Sequence, residues 1–182
     1  MAAYLTAAWC LGFAAVSAWQ LVAGDDAGTD TALSGYESGL TLMIALVLVL
    51  KLLGAVVALA AVAPPQRWLP TNLLASTLWG VFSLLALYSA GNLVITVATV
   101  SGLVEPSAAW TAAGGVTAKA VLYVLFFLIG AAVFGVLAFS FHRRRRPPGG
   151  VIVVGLIGAP VVLGLLLVGA PAVLGWLGLF PT

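Results

Sequence analysis

Residues 40–63 form an unbroken apolar run with one ionisable side chain, Lys51, at its centre. Such a run has few folded fates. About 20 apolar residues cross roughly 30 Å of hydrocarbon at about 1.5 Å per residue, so the run reads as a membrane-spanning helix. Lys51 then lies near the bilayer midplane. A cation there costs about 2.5 to 3.5 kcal/mol on insertion scales, so it has to face protein or water rather than lipid.

Four further apolar stretches flank this one. The first covers residues 4–24 and carries Trp9, Ser17, Trp19 and Gln20. No Lys or Arg precedes it, so it lacks the basic start of a secretory signal peptide and reads as a retained helix. The third, residues 72–102, would be about 46 Å long as one helix, which exceeds the hydrocarbon thickness. A break at Gly91-Asn92 is one solution, because glycine weakens a helix and asparagine can bond freed backbone groups. A tilted continuous helix is the other. The fourth stretch, residues 118–141, leads into His142, four arginines and Pro-Pro-Gly-Gly, and the fifth covers residues 151–180. Pro160 and Pro171 interrupt that last stretch and require neighbours to satisfy the carbonyls they free. Gly155 and Ala159 form a small-xxx-small pair suited to close helix contact.

Composition agrees with this reading and removes others. Hydrophobic residues make up 63% of the chain and charged residues 7%, against about a quarter charged in an ordinary soluble domain. A net charge of +2 does not argue for a nucleic-acid partner. One cysteine, Cys10, excludes a disulfide framework, and no Cys/His cluster offers a metal site. The single histidine, His142, has no Ser, Cys, Asp or Glu placed to form a triad, and no paired carboxylates lie within a span. No catalytic residue, metal or cofactor is expected.

Charge placement predicts orientation. With five alternating spans, all five acids (Asp25, Asp26, Asp30, Glu37 and Glu105) fall on one side, while Arg67, Arg143, Arg144, Arg145 and Arg146 fall on the other. Basic residues near span ends stay cytoplasmic, which puts the N-terminus inside and the C-terminus outside. The four consecutive arginines read as a topology signal, with a lipid-phosphate or nucleic-acid patch as the competing reading. Lys119 falls on the acidic side, close to an interface to which it can snorkel.

Helical rise places Lys51 roughly 16 Å below the outer end of its helix, and its stem reaches about 6 Å further. Phe13 and Ser17 of the first stretch lie at comparable depth, as do Ser83 and Leu87 of the third and residues 124–127 of the fourth. No carboxylate is among them. Asp25, Asp26 and Glu37 lie at the outer mouth, too far for a direct ion pair unless their loop folds inward, so the ammonium needs hydroxyls, backbone carbonyls, water, an aromatic face such as Trp19 or Trp79, or an anionic guest; alternatively burial leaves the lysine neutral. One reading makes Lys51 the anchor for an acidic lipid headgroup or small anion in an outward-opening cavity lined by Ser17, Gln20, Ser83 and Asn92. The other makes it a packing residue that fixes the register of the bundle.

The segments AAWCLGFAAVSAWQLVAG, LKLLGAVVALA and WLPTNLLASTLWGVFSLLALYSAGNLV resemble successive parts of an uncharacterised family of small bacterial four-span membrane proteins. The likeness covers residues 4–141, with its motifs on Ser17, Trp19, Gly24, Lys51, Tyr88, Gly91 and Asn92. The last span of that family opens with a Trp-Asp-Pro-Trp-like element, which this chain lacks around residues 122–126. A carboxylate there would have stood at the right depth to pair with the lysine. The resemblance implies a bacterial membrane protein and no known activity, and the fifth span is an addition to it.

The expectation is an all-α polytopic transmembrane bundle of five spans in the bacterial cytoplasmic membrane. Residues 1–142 form a four-span core, residues 143–149 a basic cytoplasmic linker and residues 150–182 a fifth transmembrane helix. Its partners are the lipid bilayer and a lipid or small anion at Lys51. The alternative is an accessory subunit that meets a membrane protein partner through the Gly-rich fifth helix.

Overall fold

The computed structural model describes residues 1–23, 37–63, 70–105 and 118–176. Five helices account for nearly all of them: α1 (Ala2–Ala23), α2 (Glu37–Ala60), α3 (Thr71–Val100), α4 (Ala118–Arg145) and α5 (Gly150–Trp176). No strand occurs among the described residues. The protein is all-helical, as the apolar runs require. Three helices hold stretches long and apolar enough to cross a membrane: Ala2–Trp19, Thr71–Val100 and Val124–Arg145. The apolar stretches described within α2 and α5, Leu48–Ala60 and Gly150–Leu165, are shorter.

The outward faces are apolar as well. Leu5, Leu11 and Val16 on α1, Leu52, Leu53 and Val56 on α2, Leu93, Val94 and Val97 on α3, Leu125, Leu128 and Val136 on α4, and Val153, Val154 and Ile157 on α5 are all exposed. Water does not tolerate apolar surface of that extent, whereas lipid chains do.

The chain divides into two compact units, Met1–Gln66 and Arg67–Thr182. In the first, α1 packs against α2. Among the described side chains, the buried residues of α1 are Ala3, Thr6, Ala7, Cys10, Phe13, Ala14 and Ser17, a stripe repeating every three or four positions, and those of α2 are Ala55 and Ala58. Mostly small side chains on the buried positions permit close approach of backbones, the means by which helices associate where no water is expelled. Thr6 turns its hydroxyl back to the Ala2 carbonyl of its own helix at 2.9 Å.

In the second unit, α3 packs against both α4 and α5. The α4 contribution is a stripe of Ala131, Phe134, Leu137, Ala138 and Phe141, all buried. A Cβ at Gly135 would stand 3.0 Å from the Phe82 ring, so the aromatic side chain of α3 lies in the space this glycine leaves. Tyr88 and Phe127 extend the same contact, with ring centroids 4.6 Å apart. Against α5 the contact is closer still. A Cβ on Gly155 would come within 2.6 Å of the Ser76 carbonyl oxygen and 2.7 Å of the Trp79 Cβ, and one on Gly80 within 2.8 Å of the Ala159 Cβ. The predicted Gly155/Ala159 pair is thus used inside the chain, against α3.

Pro160 belongs to the same contact. It has no N–H, so the carbonyl four residues earlier, that of Leu156, loses its helical donor. The Ser83 hydroxyl of α3 donates to that carbonyl at 2.7 Å. The proline is accommodated within a continuous helix by a neighbour's hydroxyl, as a membrane interior demands.

Of the two solutions open for α3, the structure takes the continuous helix: it is unbroken through Gly91 and Asn92. Asn92 donates its side-chain amide to the Tyr88 carbonyl at 2.8 Å without interrupting the helix. The stop comes at Gly102, whose φ of +74° is the left-handed conformation that glycine adopts readily. Leu103 N–H bonds the Ala98 carbonyl and Gly102 N–H bonds the Thr99 carbonyl, a Schellman closure.

Candidate functional site

Lys51 sits about 21 Å along α2 from Glu37 and about 14 Å from Ala60, counting helical rise. Side chains on a helix lean toward its N-terminus, and a lysine stem gives the ammonium several ångströms of reach in that direction. It reaches α1. Lys51 Nζ donates to the Ser17 hydroxyl, lies 3.5 Å from the Phe13 carbonyl oxygen, and stands 3.2 Å from the centroid of the Phe13 ring. Phe13 and Ser17 are four residues apart and therefore share one face of α1. That spacing puts a carbonyl, a hydroxyl and an aromatic face within reach of one ammonium.

Each contact has a clear physical basis. The ring presents the negative face of its quadrupole, worth about 0.5 to 1 kcal/mol at exposed sites and about 2 when desolvated. A hydrogen bond between membrane helices contributes roughly 0.6 to 2 kcal/mol. The Trp9 ring packs beside Phe13 with centroids 5.6 Å apart, which helps to fix the ring beneath the cation. All three groups around Lys51 are formally neutral, and among the described residues no carboxylate pairs with it. Dipoles and a π face solvate the ammonium.

The depth argument placed Phe13 and Ser17 beside Lys51, and the structure brings these three together. It expected an aromatic face from Trp19 or Trp79, whereas Phe13 supplies it. Trp19 is 68% exposed. Trp79 belongs to the second unit, where it packs edge-on against Phe82. Of the remaining residues assigned to the cavity, Gln20 lies in α1 with its side chain outside the described residues. Ser83 is buried in the second unit with its hydroxyl proton given to Leu156, and Asn92 bonds its own helix at Tyr88.

A lysine amine against a serine hydroxyl is also the pairing of a general base with a nucleophile. Here the surroundings do not suit attack. Ser17 is 3% exposed, and it lies within a helix whose N–H groups are spent on carbonyls four residues back, which leaves no oxyanion donors beside it. Among the described residues no cluster of His, Cys, Asp or Glu could hold a metal ion.

The arginines occupy a second polar region. Arg143, Arg144 and Arg145 complete the last turn of α4, where cations meet the negative end of the helix dipole. Arg146 follows with φ +47°, and its N–H closes on the His142 carbonyl at 2.8 Å. Residues 146–149 then connect directly to α5, whose first turn is held by Val151 N–H on the Pro148 carbonyl.

Fold and site together define an all-helical membrane protein with a lysine set into the contact between its first two helices. No family model, curated protein or solved structure matches the chain.

Proposed function

We propose that this is a five-span protein of the bacterial cytoplasmic membrane, with its N-terminus inside and its C-terminus outside, which binds or moves an acidic lipid or small anion at Lys51. The observation that carries this reading is the uncompensated charge: the ammonium has a hydroxyl, a carbonyl and a ring around it, and no carboxylate among the described residues. An anion brought to about 4 Å would gain roughly 4 kcal/mol at an effective dielectric constant near 20, more than any one of the neutral neighbours supplies. Ser17 accepts from the ammonium and so holds it at the α1–α2 contact. The resemblance to small four-span bacterial membrane proteins is consistent with this role and adds no activity to it.

An accessory-subunit role through the fifth helix draws less support. Gly155, the close-contact residue of that helix, is covered by Ser76, Trp79 and Gly80 of the same chain, and the exposed positions beside it, Val153, Val154 and Ile157, are bulky aliphatics suited to lipid.

Native mass spectrometry of the full chain purified in mild detergent tests the proposal. Wild type should retain one more acidic lipid or small anion than Lys51→Met, and Ser17→Ala should retain less. Identical profiles for wild type and Lys51→Met would refute it.

A further inference from the structure

The four arginines after Phe141 satisfy a topology rule that counts positive charge, and lysines would satisfy that rule equally. The structure contains more than charge. With 28 residues, α4 is about 42 Å long, which exceeds roughly 30 Å of hydrocarbon and carries its last turn to the level of lipid phosphates. Successive helical residues project about 100° apart, so Arg143, Arg144 and Arg145 point in different directions around the end of α4 and form a collar, which Arg146 extends. All four are exposed.

Two of the guanidinium groups are oriented from below. Arg144 Nε donates to the Ser140 carbonyl at 3.3 Å, which holds the group against the last turn of α4 and leaves its Nη atoms for another acceptor. The Arg143 guanidinium carbon lies 6.0 Å from the Phe139 ring centroid, and Phe139 is itself 56% exposed, as an aromatic at a lipid interface would be. Guanidinium presents parallel N–H donors that match two phosphate oxygens, whereas an ammonium is a point charge.

We propose that Arg143, Arg144, Arg145 and Arg146 clamp the phosphates of acidic phospholipids at the membrane surface where α4 ends. This inference rests on the reading of α4 as a membrane span and is independent of Lys51. The preference comes from the arginine fork and is not reproduced by equal charge.

The test is a titration of the purified full chain with phosphatidylglycerol and with phosphatidylcholine, read by native mass spectrometry. Wild type, the quadruple Arg→Lys variant, the single Arg144→Lys variant and Lys51→Met are compared, with helix content checked by circular dichroism. Wild type should prefer phosphatidylglycerol about tenfold, and the quadruple lysine variant should lose most of that preference while keeping its helices. Arg144→Lys should lose a measurable part, which decides the matter if the quadruple variant does not fold. Lys51→Met should match wild type at this site. The proposal is overturned if the lysine variants bind as wild type does, if wild type shows no preference, or if Lys51→Met alone removes it. Displacement by an equal concentration of inorganic phosphate would also overturn it, since the site would then not be one for lipid.

Discussion

Replacing Ser83 by alanine tests how this membrane fold accommodates a proline. Pro160 removes the donor that the Leu156 carbonyl would otherwise have, and the Ser83 hydroxyl replaces it across the α3–α5 contact at 2.7 Å. Interhelical hydrogen bonds in membranes average about 0.6 kcal/mol and reach about 1.7, because a lost partner is usually replaced. Replacement is restricted here, since the helix itself cannot supply an N–H at position 160. The expected cost of Ser83→Ala is therefore at the upper end, about 1.5 kcal/mol. Pro160→Ala restores the intrahelical donor, and in that background Ser83→Ala should cost less than about 0.5 kcal/mol. A coupling of about 1 kcal/mol follows. The small loss of volume is common to both backgrounds and cancels in the cycle. Equilibrium unfolding of the four proteins in mixed micelles with increasing SDS measures each term. An equal cost for Ser83→Ala in both backgrounds would show that the bond is not tied to the proline and would refute the reasoning.

Two further substitutions probe glycines with opposite expectations. Gly155→Ala brings a methyl to 2.6 Å from the Ser76 carbonyl oxygen, which is backbone and cannot swing away, so the α3–α5 contact should lose about 1 to 3 kcal/mol in the same unfolding assay. Gly91→Ala, by contrast, meets nothing within 4 Å inside an unbroken helix and should stabilise the protein by roughly 0.5 to 1 kcal/mol; a loss of stability would reveal that α3 uses Gly91 as a bend.

Helix number and approximate limits were legible in the sequence because a hydrocarbon interior leaves a spanning segment little choice but helix, so apolar runs map almost directly onto α1 to α5. The differences arise where local preference and context compete. Residues 118–141 were expected to end with the apolar stretch, but α4 continues to Arg145, because arginine is a good helix former and gains from the dipole at a C-terminus. Gly91-Asn92 offered a break that α3 does not use, since Asn92 finds a carbonyl within its own helix. The resulting units, Met1–Gln66 and Arg67–Thr182, group α5 with α3 and α4, a pairing that depends on Gly80, Gly155 and Ser83 meeting across helices far apart in sequence.

The same distinction explains the site. Counting residues from a helix end gives the depth of a side chain but not the direction in which it points. Depth sufficed for Lys51 and Ser17 because α1 and α2 pack against each other, and the spacing of Phe13 and Ser17 already put both on one face. Depth did not suffice for Ser83. Its level suited Lys51, yet its hydroxyl answers a carbonyl orphaned by a proline in another helix. The signal for that role was present in the sequence as Pro160, since a proline in a membrane helix demands a donor from somewhere. A serine at membrane depth should accordingly be weighed first against the carbonyl four residues before each proline and only then against a ligand. Lys51 passes the corresponding test in the other direction. The Phe13 and Ser17 groups around it satisfy its geometry with neutral partners and, among the described residues, no carboxylate joins them, which is the observation on which the proposed anion site rests.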